Sequence, residues 1–282
     1  MNALELNGVT KSYPDFCLNN ISFALPAGCI LGLIGENGAG KSTTIKLILD
    51  MARRDRGEIK ILGWDNQKDS RLLKEEIGVV LDEASFPLGI TAKDVNHIMK
   101  HTYQHWEETT FYQYIHRFSL PPQKPFKDYS RGMKMKLAIA VALSHHAKLL
   151  ILDEATSGLD PIVRDEILDL FYEFTRDENH SILISSHIVS DLEKLCDYIA
   201  FIHQGKLLFC EEKDRLLDKY GILRCSKNDF SAVEPAAVKG CRLSDYQAEA
   251  LVERSKTPSC FTLSRPSIED IIVFTAKGGK NA

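Results

Sequence analysis

The sequence predicts an α/β fold, with strands and helices alternating around a mostly parallel sheet. A helical insertion interrupts the alternation, and a small addition follows the core. Three observations carry this. Apolar runs recur at Cys29–Ile34, Ile77–Leu81, Leu149–Leu152 and Ser181–Ser185, the texture of strands buried on both faces. From about 85 to 146 the apolar residues switch to helical spacing. A glycine-rich turn joins one of the strands directly to a helix.

Taken in order, residues 3 to 34 alternate short β-like segments with turns: Leu4–Leu6, Ile21–Leu25, then Cys29–Ile34, with Pro26-Ala27-Gly28 dividing the last two. Thr43–Leu49 reads as a helix and Gly57–Leu62 as a strand closed by Gly63. Thr91 and Asp94 form a capping box that opens a helix to about Tyr103. Phe111, Ile115 and Phe118 share a helix face, and Pro121-Pro122 stops it. Ser130 caps a long helix reaching about Ser144. Asp160-Pro161 is an N-cap with proline at the first helical position, followed by the stripe Val163, Ile167, Leu170, Phe171 and Phe174. Ser190 and Glu193 suggest a second capping box. Beyond Gly221, segments 222–226 and 260–263 read as strands, and Ser267 with Asp270 caps a last short helix.

The octapeptide Gly35-Glu36-Asn37-Gly38-Ala39-Gly40-Lys41-Ser42, continued by Thr43, fits G-x-x-x-x-G-K-[ST] at every fixed position. Its strand–loop–helix setting is the one a phosphate cradle requires. Glycines let backbone N–H groups turn inward around the phosphates, and the helix N-terminus adds positive potential. Lys41 is placed to reach the β- and γ-phosphates, and Ser42 offers Mg²⁺ a hard oxygen. The plain alternative is a glycine turn that binds nothing. A second strand, Leu149–Glu154, ends in two carboxylates, Asp153 and Glu154. Such strands end at the ligand crevice, so Asp153 can support Mg²⁺ through water and Glu154 can orient the attacking water. Paired carboxylates at a strand end can also be caps or surface charges.

Bulk properties narrow the classes. With 44% apolar and 26% charged residues, the chain has an ordinary soluble composition. A net charge of −4 argues against a basic nucleic-acid-binding surface, and no nucleic-acid partner is expected. The apolar runs fall far short of the roughly 20 residues needed to span a bilayer. Met1–Glu5 has no leader character. Seven scattered cysteines without a C-x-x-C pair predict buried free thiols in a reducing compartment. His97, His101 and His105 fall at i, i+4, i+8, which suggests one helix face. No acid or cysteine stands in register to make that face a metal site.

With these motifs in hand, the chain resembles the ATP-binding subunits of ABC transporters over nearly all of residues 1 to 220. Tyr129-Ser130-Arg131-Gly132-Met133 is similar to the family signature and stands 23 residues before Asp153. Ser157-Gly158-Leu159-Asp160 resembles its D-loop, and Ser185-Ser186-His187 its switch histidine. Tyr13 sits where the family places an adenine-stacking aromatic. The resemblance implies a RecA-like P-loop NTPase core with an N-terminal antiparallel β-subdomain, a helical subdomain at about 85–146, and a C-terminal accessory region at 221–282. It implies ATP and Mg²⁺ as ligands, Glu154 and His187 as catalytic residues, and Ser130, Gly132 and Asp160 as contacts across a dimer of cassettes, identical or different. A separate transmembrane permease is the implied partner, at the inner face of the cell membrane. Two departures stand out: Asp82, followed by Glu83, replaces the usual metal-contacting glutamine, and Arg131 and Met133 replace signature glycine and glutamine. Asp82 is therefore expected at the metal. The Tyr-Ser-Arg-Gly-Met form resembles bacterial exporters linked to peptide antibiotics. A non-transport ATPase of the same fold normally carries two fused cassettes or a long coiled coil, neither of which fits the gap from Ser42 to Asp153. A regulatory ATP-binding module would not need Glu154.

Overall fold

In the computed structural model, which describes residues 1–82 and 86–278, one parallel sheet divides two hydrophobic cores. Glu83 and residues 279–282 lie outside the described residues. The chain opens with β1 (Asn2–Tyr13) and β2 (Phe16–Pro26), then β3 (Ile30–Ile34), helix α1 (Lys41–Ile48), β4 (Arg56–Ile61) and β5 (Trp64–Asp65). Strands β1, β2, β4 and β5 form an antiparallel sheet in the order β2-β1-β4-β5.

After α2 (Ser70–Glu76) and β6 (Ile77–Val80) come the helices of the insertion: α3 (Ala92–Thr102), α4 (Glu108–Arg117) and α5 (Arg131–Leu143). The core then resumes with β7 (Leu149–Asp153), α6 (Pro161–Phe174), β8 (Ser181–Ser185), α7 (Val189–Leu195), β9 (Tyr198–His203) and β10 (Lys206–Glu212). Its sheet runs β10-β9-β3-β8-β7-β6, parallel throughout except for the edge strand β10.

Strand periodicity sorts the two cores. Leu31, Leu33, Leu149, Ile151 and Leu183 face the antiparallel sheet and meet Leu4, Leu6, Ile21 and Leu25. Their neighbours Ile30, Ile34, Leu150, Leu152, Ile182 and Ile184 face the helices of the insertion, α6 and α7. Helix α5 presses so closely on β6 that a Cβ at Gly78 would stand 2.6 Å from the Ala142 carbonyl oxygen.

Helix α8 (Lys213–Lys219) leads into β11 (Tyr220–Ser226), α9 (Lys227–Phe230), β12 (Val238–Leu243), β13 (Gln247–Glu253) and β14 (Leu263–Ser264), a third sheet ordered β12-β13-β11-β14. The last helix, α10 (Ile268–Gly278), returns to the main core. Its Ile268, Ile271 and Phe274 are buried with Leu192 and Leu195 of α7 and Leu216 of α8.

Several sequence expectations change here. The box at Ser190 does not cap α7, which starts at Val189, so Ser190 lies inside the helix; the preceding turn is closed by Ser186 Oγ accepting from the Ile188 amide. Helix α3 ends at Thr102, so His105 leaves the face on which His97 and His101 meet edge to face. Of the segment at 260–263 only Leu263 enters a strand, the short β14, while β12 and β13 lie outside the expected strands. Of the seven cysteines only Cys196 is fully buried, and Cys17 and Cys260 are exposed.

Candidate functional site

Strand β3 hands the chain to the glycine loop at Gly35. A Cβ on Gly35 would collide with the Ile202 carbonyl oxygen of β9 at 2.5 Å. Gly40 has a φ of 117°, and its Cβ would meet Leu18 at 2.8 Å and Phe16 at 3.0 Å, so only glycine fits this turn into α1. On the opposite side, Gly38 has nothing within 4 Å of its Cβ position, leaving the loop open there. The first turn of α1 carries no acidic residue and no side-chain cap, so its N–H groups and dipole keep their appetite for an anion. Ala39 anchors the loop through its carbonyl, which accepts from the Gly205 amide at 3.0 Å.

Lys41 is buried, at 6% exposure, and folds under the loop to donate to the Gly35 carbonyl at 2.7 Å and the Glu36 carbonyl at 3.4 Å. Ser42 stands exposed beside it and Thr43 is half-buried. Thr44, rather than Thr43, spends its hydroxyl on the Gly40 carbonyl at 2.8 Å. An open cradle of amides, an uncapped helix end and a buried ammonium are the donor set a polyphosphate needs.

The neighbouring strands supply the acids. Parallel pairing sets Asp153 of β7 opposite Ser185 of β8, and Ser185 Oγ donates to the Asp153 carboxylate at 2.5 Å. Glu154 turns out of the strand with a φ of 53°, an uncommon conformation for a side-chain-bearing residue. It is over-determined by its neighbour: the Glu154 amide donates to the Ser185 carbonyl at 3.1 Å and to Ser185 Oγ at 3.2 Å. Its carboxylate lies 2.6 Å from His187 Nδ1 and 3.7 Å from Lys41 Nζ. Lys41, Asp153, Glu154 and His187 therefore meet at the carboxyl ends of three adjacent strands, β3, β7 and β8.

A second group surrounds two helix starts. Ser130 Oγ accepts from the Met133 amide at 3.2 Å, and Asp160 Oδ1 accepts from the Val163 amide at 3.1 Å, ahead of Pro161. Gly132 lies beside Val163, where a Cβ would be 3.6 Å from Val163 Cγ1, so the starts of α5 and α6 are side by side. Asp82, expected at the metal, has its carboxylate 2.9 Å from Arg131 Nη2, because the arginine at the start of α5 reaches across to the end of β6. Tyr13 stands half-exposed at the β1–β2 turn, paired with Phe16, with Lys11 Nζ 5.5 Å over its ring.

Two contributors escaped the sequence reasoning. Ser185 joins Asp153 and Glu154, and the only hint was a serine ending an apolar strand. Phe16, rather than Tyr13, is the ring packed against the glycine loop at Gly40.

The sequence model of the ABC transporter family matches residues 18–157. The chain is 36% identical over 215 residues to the lantibiotic transport ATP-binding protein SrtF of Streptococcus pyogenes, covering 75% of this chain and 91% of that one. The chain belongs to the ATP-binding subunits of ABC transporters. A second ABC subunit, the bacitracin transport ATP-binding protein BcrA of Bacillus licheniformis, is 34% identical over 208 residues, covering 73% of this chain and 68% of that one. The solved structure of an ATP-binding subunit of an ABC transporter superposes with a TM-score of 0.70 at 25% identity, covering 77% of this chain and 92% of that one. No helix among the described residues of this ABC subunit is long and apolar enough to cross a membrane.

Proposed function

We propose that the chain hydrolyses MgATP in a dimer of two cassettes and so drives a separate transmembrane permease from the inner face of the cell membrane. Residues 1–220 are the ATP-binding unit, with its helical subdomain at about 85–146, and 221–282 an accessory region. The observation that carries this reading is the Glu154 carboxylate, 2.6 Å from His187 Nδ1 and 3.7 Å from Lys41 Nζ. A carboxylate beside the phosphate-facing ammonium can accept a proton from water, and the imidazole can orient that carboxylate.

The residues divide the work. Gly35, Asn37, Gly38, Ala39 and Gly40 shape the cradle, Lys41 and Thr43 with the first turn of α1 bind phosphate oxygens, and Tyr13 offers a ring to the adenine. Magnesium, held by Ser42 and through water by Asp153, would neutralise charge on the phosphates. Ser130, Gly132 and Asp160 act on the nucleotide of the opposite cassette, where the N-terminus of α5 meets the γ-phosphate. The named relatives, a lantibiotic and a bacitracin transport ATP-binding protein, support a peptide antibiotic as cargo, and export is the direction this reading assigns.

Small-angle scattering tests the cycle. With magnesium and a non-hydrolysable ATP analogue, the wild-type chain is expected to double in mass, and Lys41→Ala to remain single. Single particles in both, with or without the permease, would overturn the proposal.

A further inference from the structure

Two residues at which the sequence departs from the family pattern it resembles, Asp82 and Arg131, are joined to each other. Arg131 Nη2 lies 2.9 Å from Asp82 Oδ1, and the residues are 49 apart in sequence. Both side chains are about half exposed, and an ion pair so placed contributes little by itself. The guanidinium, however, is held from a second side. It lies on Gly158, whose φ is +66°, and a Cβ there would stand 3.0 Å from Arg131 Cζ and Nη1 and 3.2 Å from Nε. Arg131 is the first residue of α5, directly after the cap Ser130, and Gly158 is two residues before Asp160. One planar cation thus touches three segments: the end of β6, the start of α5, and the loop leading to Asp160.

We propose that Asp82 is the counter-ion of Arg131 rather than a magnesium ligand, and that Arg131 is a positioning residue that sets the Ser130 end of α5 against the Asp160 loop before two cassettes meet. This rests on the cassette reading above. Its physical basis is that the groups crossing the seam, Ser130 and Asp160, are both helix caps with few other ties. Fixing their mutual spacing in the single chain removes an ordering cost from dimer closure. The pair also marks one wall of a cavity of about 380 Å³ lined by Phe86, Leu88, Phe126, Lys134 and Met135. A shift of α5 would open or close that space, so the guanidinium registers the position of the insertion relative to the sheet.

The test compares wild type, Asp82→Asn, Arg131→Gln and the charge-exchanged pair Asp82→Arg with Arg131→Asp. Two readouts are taken: steady-state MgATPase, and amide hydrogen exchange of residues 154–160 in the nucleotide-free chain. Each single variant is expected to lower kcat about fivefold, with the half-saturating magnesium concentration unchanged. Each should also speed exchange in the 154–160 loop. The exchanged pair restores the charges but not the guanidinium on Gly158, so its kcat should stay at least about threefold below wild type and its loop exchange fast. A tenfold or larger rise in the magnesium requirement of Asp82→Asn would put the carboxylate at the metal and overturn the proposal. So would unchanged loop exchange in Arg131→Gln, or recovery of the exchanged pair to wild-type kcat and exchange. A wild-type chain without MgATPase activity would instead overturn the cassette reading, and the exchange measurement would still decide the role of Arg131.

Discussion

Replacing Glu154 by glutamine separates binding from hydrolysis, and the structure sets the size of both effects. Glu154 Oε1 stands 3.7 Å from Lys41 Nζ, with the two side chains 14% and 6% exposed. At that distance the attraction is about 1 kcal/mol in bulk water and about 4.5 kcal/mol at an effective dielectric near 20. A triphosphate approaching Lys41 must compete with this carboxylate and is repelled by it. Glutamine keeps the shape and removes the charge. Because solvent enters the open loop, the lower part of that range applies, and ATP should bind about tenfold more tightly, on the order of 1.4 kcal/mol. Hydrolysis should fall by about 10²- to 10⁴-fold, the usual contribution of a positioned base. Titration calorimetry with MgATP gives the first quantity and single-turnover release of phosphate the second. Weaker ATP binding in the variant would refute the electrostatic argument, and a hydrolysis rate within tenfold of wild type would place the base elsewhere.

Two further substitutions probe what surrounds that carboxylate. Ser185→Ala removes the donor to Asp153 and an acceptor for the Glu154 amide; hydrogen bonds to charged groups contribute about 1.5–3 kcal/mol, so kcat/KM should fall about 10- to 100-fold. ATP affinity should remain near wild type, and steady-state kinetics within twofold of wild type would contradict the role. His145 tests the core. Its ring nitrogens face the Val141 and Ile77 carbonyls at 3.2 and 3.0 Å, but burial outweighs them and lowers its pKa from the ordinary 6.5. The unfolded chain then takes up the proton first, so the stability held above pH 6.5 is lost as pH falls below it toward the folded value. Melting curves from pH 7.5 down to 5.5 should fall more steeply for wild type than for His145→Gln, and parallel curves would exclude His145 as the cause.

How far the sequence could be read depended on how local each signal was. The glycine loop, the Asp153–Glu154 strand end and the caps at Thr91, Ser130 and Asp160 are written in contiguous residues, and their places at strand ends and helix starts were legible in the sequence. The parallel strands were equally plain, because Leu149–Leu152 and Ser181–Ser185 are buried on both faces and need no alternation to be recognised. What escaped notice depends on distant neighbours. Ser185 matters because β8 lies beside β7, and Asp82 takes Arg131 as partner only once α5 is folded onto β6. Strands β12 and β13 hid for another reason. Gly240 lies against the Phe274 backbone, Ala250 packs in a short local cluster and Ala248 is a small buried residue, so their segments carry less of the bulky apolar texture by which a strand is recognised.

Helix α10 has a consequence for biosynthesis. A ribosome releases α7, the helix just behind His187, long before it releases Phe274, so the apolar side of α7 waits uncovered while the third sheet is made. A message cut short before α10 by a frameshift or early stop would yield a chain with the glycine loop folded and an apolar patch left open beside His187, the kind of surface chaperones hold and proteases clear. A chain lacking α10 is therefore expected to expose Leu192 and Leu195 and to be cleared faster than one that carries the helix.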